Sequence, residues 1–290
     1  MSNPVVAITG ANGFVGSALV KSFLDKGMPT VKLVRTLSAL PITEERVFEL
    51  ETPPVTNLLH GIDVLIHCAF VSPTEKNAGE TDYDGTAALI KLARKNDIKK
   101  IIFFSTVSAH DAAVSSYGIS KYKMEKLLNT ERDAIVKPAL IIGNGGLFQR
   151  LLKQALTKKT VPLIENGKQP MQVIALEDVI RAVHSIIDRD LAGTFVLANE
   201  EKFSYKDMFK QIASVYGVFL RFLPLPVFPV KMALSISDMM GVKLPVSKEN
   251  LSGLQSLKYM DPFSSLQRLE IEPVSFRNAL MKLKKLGFPM

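Results

Sequence analysis

The chain has 290 residues, of which 47% are hydrophobic and 22% charged, with a single cysteine; this is the profile of a globular protein and excludes a disordered or disulfide-stapled one. A net charge of +8 favours anionic partners. The densest basic groups, Lys99-Lys100, Lys158-Lys159 and Lys282 with Lys284-Lys285, fall on or beside predicted helices without any nucleic-acid-binding signature, so no nucleic-acid partner is expected.

The elements follow in chain order. Pro4 to Thr9 is an apolar run ended by glycine and reads as a buried strand. Residues 13 to 26 carry Phe14, Val15, Ala18, Leu19 and Phe23 at helical spacing, with Gly27 as the stop. Strands are predicted at Thr30 to Val34, Val47 to Leu50 and Val64 to Cys68, with a short helix between the last two. A helix follows at Thr86 to Lys95, a strand at Ile101 to Phe104, a helix at Tyr117 to Asn129 and a strand at Ala134 to Val136. Strands alternating with helices make βαβ units, hence a parallel sheet covered on both faces. Beyond Pro138 the pattern loosens. Helices are expected at Gly145 to Lys158, Leu176 to Asp188 and Tyr205 to Val215, a strand at Thr194 to Leu197, and short helices near the C-terminus. The implied fold is α/β: a doubly wound parallel sheet of Rossmann type, residues 1–165 also receiving 172–198, with a smaller substrate lobe from 199–290 and 145–171.

Cys68 has no disulfide partner, and four scattered histidines offer no metal-ligand spacing, so no metal is expected. The N-terminus enters a strand at once, without the basic and apolar regions of a signal peptide. The longest weakly charged stretch, Val218 to Met240, is broken by Arg221, Pro224, Pro226, Pro229 and Lys231. Neither a membrane span nor a secreted destination is expected. The expected setting is cytoplasmic.

The first strand–helix junction reads Thr9-Gly10-Ala11-Asn12-Gly13-Phe14-Val15-Gly16. Three glycines spaced three apart allow a tight turn, close approach of backbone to a pyrophosphate, and close helix–strand packing. The helix N-terminus adds unpaired N–H groups and a partial positive charge. A glycine triplet alone is weak, but its place at the first junction of a βαβ run points to a dinucleotide. Arg35, just after the second strand, stands where an acid would hold the ribose hydroxyls of NAD; an arginine suits the 2′-phosphate of NADP. NADP(H) is therefore the expected cofactor and NAD(H) the second candidate, Arg35 being otherwise an ordinary surface residue. Glu49 and Leu50 are placed beside the adenine.

Tyr117-Gly-Ile-Ser-Lys121 opens a helix and sets a phenol and an ammonium on one face. A free phenol titrates near pH ~10. The ammonium is expected to pull it toward the working range, so that Tyr117 exchanges a proton with a substrate oxygen. Thr106, or its neighbour Ser105, at the carboxyl end of the strand Ile101 to Phe104, supplies a hydroxyl for the same oxygen; Ser108 lies further into the loop. A serine hydrolase is not indicated, since there is no Gly-x-Ser-x-Gly elbow.

The glycine loop, the run Gly61-Ile-Asp-Val-Leu-Ile-His-Cys-Ala69, Ser105-Thr106, Tyr117 to Lys121 with Glu125, Val136-Lys-Pro138 to Gly143, Ala175-Leu-Glu-Asp-Val179, Tyr259-Met-Asp261 and Leu269 to Ser275 occur in an order that resembles the extended short-chain dehydrogenase/reductases. Among these they are most similar to the NAD-dependent epimerase/dehydratase group of nucleotide-sugar enzymes. The resemblance implies Thr106, Tyr117 and Lys121 as the catalytic set. It implies cofactor contacts at Gly10, Asn12, Gly13, Phe14, Val15, Gly16, Arg35, Glu49, Leu50, Cys68, Ala69, Phe70, Tyr117, Lys121 and Pro138, substrate contacts at Ser105 and Ser108, and a homodimer. Two departures touch the choice of substrate: Ser108-Ala-His110 replaces a common Val-Tyr-Gly, and Asp82 stands where an asparagine commonly supports the site. Arg221 reads equally as a contact for a substrate diphosphate or as a solvent-facing arginine.

Three functions fit. The first is a nucleotide-sugar C4 epimerase or 4-keto reductase. The second is an NADPH-dependent reductase of a small aldehyde, ketone or sterol-like substrate, with the apolar stretch Phe219 to Val230 lining its pocket. The third is a non-catalytic dinucleotide-binding regulator, which retention of both Tyr117 and Lys121 disfavours.

Overall fold

Short strands that are apolar and buried from end to end can only lie at the centre of a sheet covered on both sides. In the computed structural model, which describes residues 3–71, 78–226, 248–255 and 257–288, β1 (Val6–Thr9), β2 (Thr30–Val34), β4 (Val64–His67), β5 (Lys100–Phe104) and β6 (Ala134–Pro138) are buried at every position. With β3 (Glu45–Val47) and β11 (Gly193–Leu197) they form a seven-stranded parallel sheet in the order β11-β6-β5-β4-β1-β2-β3. The chain runs outward from β1 to β3, then returns to β4 on the other side of β1. That reversal opens a crevice above the carboxyl ends of β1 and β4.

One face of the sheet is covered by α1 (Phe14–Asp25) and α5 (Leu176–Asp188), whose Leu19, Phe23, Val183 and Ile186 pack on Ile8, Ile66 and Val136. The other is covered by α2 (Ala78–Lys95) and α3 (Ser116–Glu125), through Leu89, Ile90, Ala93 and Met124 on Ala7, Leu65 and Phe103. A third core gathers α4 (Gly146–Lys158), β8 (Thr160–Ile164), α6 (Tyr205–Tyr216) and α9 (Phe276–Lys285) around Phe148, Phe209 and Phe276.

Several boundaries differ from the sequence reading. The third strand is Glu45–Val47 rather than Val47 to Leu50, because Lys32 to Val34 of β2 pair with Glu45 to Val47. Phe48 and Leu50 are still buried, beyond the strand's end. No helix forms between β3 and β4, where the chain makes turns. α2 begins at Ala78, a full two turns before Thr86, since the polar residues and Gly79 that weaken its pattern sit among tertiary contacts. α3 stops at Glu125 rather than Asn129.

Three pairs of short strands went unpredicted. β7 (Leu140–Ile142) lies parallel to β10 (Val173–Ala175), β9 (Pro170–Met171) antiparallel to β12 (Phe203–Ser204), and β8 parallel to β13 (Arg221–Leu225). The proline-interrupted stretch is thus partly a strand; Phe219 before it is 84% exposed, and residues 227–247, which complete the stretch, lie outside the described residues. The short C-terminal helices are α7 (Lys248–Gln255), α8 (Phe263–Leu269) and α9. Among the described residues no helix is long and apolar enough to cross a membrane.

Candidate active site

The turn after β1 is closed by Gly13 N–H donating to Gly10 O at 2.8 Å. Gly10 adopts φ +63°, and a Cβ there would lie 2.9 Å from Ala69 N; one at Gly16 would lie 2.2 Å from Gly10 O. Such spacing keeps the turn bare of side chains, and the first N–H groups of α1, which have no partner within the helix, open above it. This is a cradle that fits a dinucleotide's pyrophosphate. Phe14 turns its ring away into a hollow made by Gly143, Gly145 and Gly146, where added Cβ atoms would come within 2.7, 2.3 and 2.9 Å of it. Its contribution to a phosphate would be its backbone N–H.

Beneath the cradle lies a polar relay that the sequence reading missed. Thr9 Oγ1 accepts from the N–H groups of both Cys68 and Ala69 at 3.1 Å and lies 2.7 Å from His67 Nδ1; His67 Nε2 lies 2.9 Å from Thr86 Oγ1. With its lone pairs occupied, the Thr9 hydroxyl donates to Nδ1, so the neutral ring carries its proton on Nε2 and donates to Thr86. Burial, helped by the Lys121 charge, pushes the His67 pKa down to about 3, so the ring stays neutral. The relay locks the ends of β1 and β4 at the crevice. Its one signal in the sequence was a histidine ending an otherwise apolar strand.

Tyr117 and Lys121 lie on the first two turns of α3, which Ser115 caps by accepting from Gly118 N–H at 3.1 Å. Gly118 is required there, since a Cβ would fall 2.5 Å from Ser108 O. Lys121 is 2% exposed. Its Nζ donates to Phe104 O at 3.2 Å and sits 4.9 Å from the centre of the Phe103 ring and 5.9 Å from that of Phe70. Burial pulls its pKa down to about 8, opposed by Asp82, then Cys68 and Glu125. The half-buried Tyr117 departs from the expectation: burial, then the Asp82 charge, push its pKa up to about 12. The ammonium is spent on the Phe104 carbonyl and the Phe103 ring, so the phenol stays protonated near neutral pH.

Phe70, just past β4 and 52% exposed, sets its ring edge-on to Tyr117 with centroids 6.0 Å apart. Thr106 follows β5 and accepts from Ser108 N–H at 3.2 Å. Ser105 is turned elsewhere: its hydroxyl donates to Glu125, which forms a buried ion pair with Lys137 at 2.9 Å. Pro138 ends β6 and accepts from Val107 N–H. Cys68, half-buried beside Ala69, has its thiol pushed up to about 12 by burial. Thus the glycine turn lies against Cys68 and Ala69, the next residue Phe70 lies against Tyr117 and Lys121, and Thr106 stands past the end of the neighbouring strand β5.

The remaining sites lie around it or away from it. Arg35 is exposed at the end of β2. The loop after it is pinned by Glu45, which accepts from Ser38 and Lys32 and is held at about 2 by those bonds. Leu50 is buried with its carbonyl against Gly85 of α2, whereas Glu49 lines a hollow of 510 Å³ at the sheet's open edge with Arg46, Pro53 and His60. Arg221 opens β13, exposed, its N–H bonded to Lys159 O. Among the described residues no cluster of His, Cys, Asp or Glu could hold a metal.

A parallel sheet in this order with a bare glycine turn at its first strand–helix junction defines a Rossmann-type α/β protein. The model of the NAD dependent epimerase/dehydratase family matches residues 6–198, and the chain belongs to that family of NAD(P)-dependent enzymes. It is 21% identical to the UDP-glucose epimerase YtcB of Bacillus subtilis, itself uncharacterised, across 90% of this chain and 94% of that protein. It is 27% identical to the ceramide reductase of Caulobacter vibrioides across 77% and 74%. Among solved structures it resembles MoeE5 in complex with UDP-glucuronic acid and NAD, with a TM-score of 0.74 and 16% identity over 98% of this chain and 100% of that one; that likeness concerns the fold.

Proposed function

We propose that the chain is an NADP(H)-dependent reductase of a keto group on a nucleotide sugar, with Tyr117 as the proton donor. What supports this reading is the Tyr117 ring, edge-on to Phe70 just past β4, with its phenol pushed up to about 12 by burial and then by Asp82. A phenol that keeps its proton near neutral pH suits giving it to a developing alkoxide better than taking one from an alcohol. Thr106 would share the substrate oxygen. Lys121 would hold the nicotinamide ribose and stabilise the phenolate left after transfer. A bound reduced dinucleotide would supply the hydride. Arg35 would face its 2′-phosphate, with the Glu45 network fixing the loop that carries it. The sugar nucleotide is drawn from likeness to the epimerase relatives.

A panel of keto and hydroxy UDP- and dTDP-sugars tests the reaction, with nicotinamide absorbance and sugar NMR as readouts. Net oxidation of NADPH by a keto sugar is expected; interconversion of sugars without net absorbance change would replace the reductase by an epimerase. Exposed Phe70 beside Tyr117, with Val114 before α3 and Leu147 at the start of α4 also exposed, favours a second reading, in which the carbonyl belongs to an apolar or lipidic molecule, as likeness to a ceramide reductase suggests. Long-chain ketones belong in the same panel.

Two further outcomes are expected. Arg35→Asp removes a charge-assisted phosphate contact, and NADPH binding weakens about 10- to 100-fold while NADH binding is spared; an unchanged preference in titrations removes the 2′-phosphate role. Because Lys121 is an ammonium below its depressed pKa of about 8, reductive kcat is expected to be flat in mild acid and to decline as pH rises through that value.

A further inference from the structure

The catalytic pair lies against a buried acid on a neighbouring helix. Helices α2 and α3 meet where Ser120 Oγ donates to Gly79 O at 3.2 Å, close enough that a Cβ on Gly79 would rest 3.7 Å from the Ser120 side chain. Asp82 reaches the pair through the segment after β4: it is bonded to Val71, and the ring of the preceding Phe70 lies 6.0 Å from that of Tyr117 and 5.9 Å from Lys121 Nζ. Asp82 is 5% exposed, and its Oδ1 accepts from Val71 N–H at 2.6 Å. That bond ties the segment following β4, which carries Cys68, Ala69 and Phe70, to the face of α2 nearest the pair. A carboxylate buried this deeply must be offset by a positive charge or by dense hydrogen bonding. The other acid near the pair, half-buried Glu125, pairs with Lys137 and accepts from Ser105.

We propose that Asp82 is a positioning residue: the buried counter-ion of the Lys121 ammonium, which biases Tyr117 toward giving a proton rather than accepting one. The inference rests on the acid–base role assigned to Tyr117. The groups around the pair act together. Asp82 is the foremost charge on both members, raising the phenol and sustaining the ammonium against its burial. Cys68 and Glu125 act on Lys121 in the same sense more weakly, Lys137 is paired with Glu125, and His67 is neutral. In the reductive step the substrate carbon gains a hydride from the reduced dinucleotide. The Tyr117 O–H bond breaks as the product O–H bond forms, and the phenolate left behind takes a proton from solvent. A fixed negative charge beside the phenolate makes that last protonation favourable and moves the phenolate needed for the reverse step to higher pH. Asp82 would thus set the pH range in which the pair works.

Asp82→Asn tests this, because the amide keeps an oxygen for Val71 N–H and removes only the charge. In the cofactor-free protein labelled at the tyrosine Cζ carbons, with Tyr117→Phe to assign the signal, the Tyr117 midpoint is expected to drop by about one pH unit or more. In turnover, the decline of reductive kcat is expected to move to lower pH, since Lys121 loses its counter-ion, while oxidation of the product alcohol gains at neutral pH and the dinucleotide Kd stays within about twofold. A Tyr117 midpoint unmoved in folded Asp82→Asn overturns the inference. So does a wild-type Tyr117 that titrates at or below the ordinary tyrosine value of about 10, a measurement that needs no variant. If instead the midpoint moves but Tyr117→Phe turns over like wild type, the electrostatic coupling stands and the acid–base reading falls.

Discussion

Tyr117→Phe is expected to lower reductive kcat about 10³-fold while leaving the dinucleotide Kd nearly unchanged. The substitution deletes one oxygen and its proton and keeps the ring whose edge contact with Phe70 shapes the crevice. The half-buried phenol lies one helical turn before Lys121 and against the Phe70 ring. Loss of its O–H leaves the developing alkoxide without its proton donor, and the Thr106 hydroxyl, a far weaker acid than a phenol, can hydrogen-bond the oxygen without giving up its proton. Stopped-flow single turnovers with excess enzyme separate the chemical step from release. Turnover at the wild-type rate would remove Tyr117 from the mechanism.

Gly16→Ala is expected to weaken dinucleotide binding by about 10²-fold or more and to lower stability by roughly 1–3 kcal/mol. The added methyl would meet Gly10 O at 2.2 Å, with Gly10 C at 2.8 Å and Ala11 Cα at 3.0 Å, all of them backbone. Relief requires α1 to move off β1, which carries its first N–H groups away from the pyrophosphate and disturbs the packing of Leu19 and Phe23. Titration calorimetry together with thermal melts distinguishes this from a purely local effect, since Gly27→Ala, at a glycine with no atom within 4 Å of its added Cβ but with φ +66°, should cost stability without weakening binding. Wild-type affinity in Gly16→Ala would mean that the pyrophosphate does not rest on this turn.

Much of this architecture was legible in the sequence wherever a pattern was long or chemically specific. Thr30–Val34 and Leu176–Asp188 have the boundaries that their patterns gave, the first as a short run buried throughout and the second as a helix burying a strip at helical spacing. The two- and three-residue strands outside the seven-stranded sheet were not legible: β9 and β12 have no periodicity of their own and exist because Met171 and Phe203 meet across the fold. The glycine turn could be read because its spacing reflects clashes at the backbone. Tyr117 and Lys121 could be paired by helical spacing, but the sense of the phenol's shift could not, for it depends on burial and on Asp82, 35 positions earlier in the chain. Ser105 illustrates the same limit: its position at a strand end suggested substrate, whereas its hydroxyl is committed to Glu125. The Thr9–His67–Thr86 relay joins residues 58 and 19 apart, and no local pattern announces such a chain.

The proposed reduction requires a dinucleotide laid across the glycine turn with its nicotinamide beside Tyr117. A crystal structure of the protein with NADPH tests this most directly. The pyrophosphate is expected on the N–H groups of Phe14 and Val15, the 2′-phosphate at Arg35, and the nicotinamide ring near Tyr117, with Lys121 drawn from the Phe104 carbonyl to the ribose hydroxyls. A nicotinamide pointing away from Tyr117, or a nucleotide bound elsewhere with the turn bare, would contradict it.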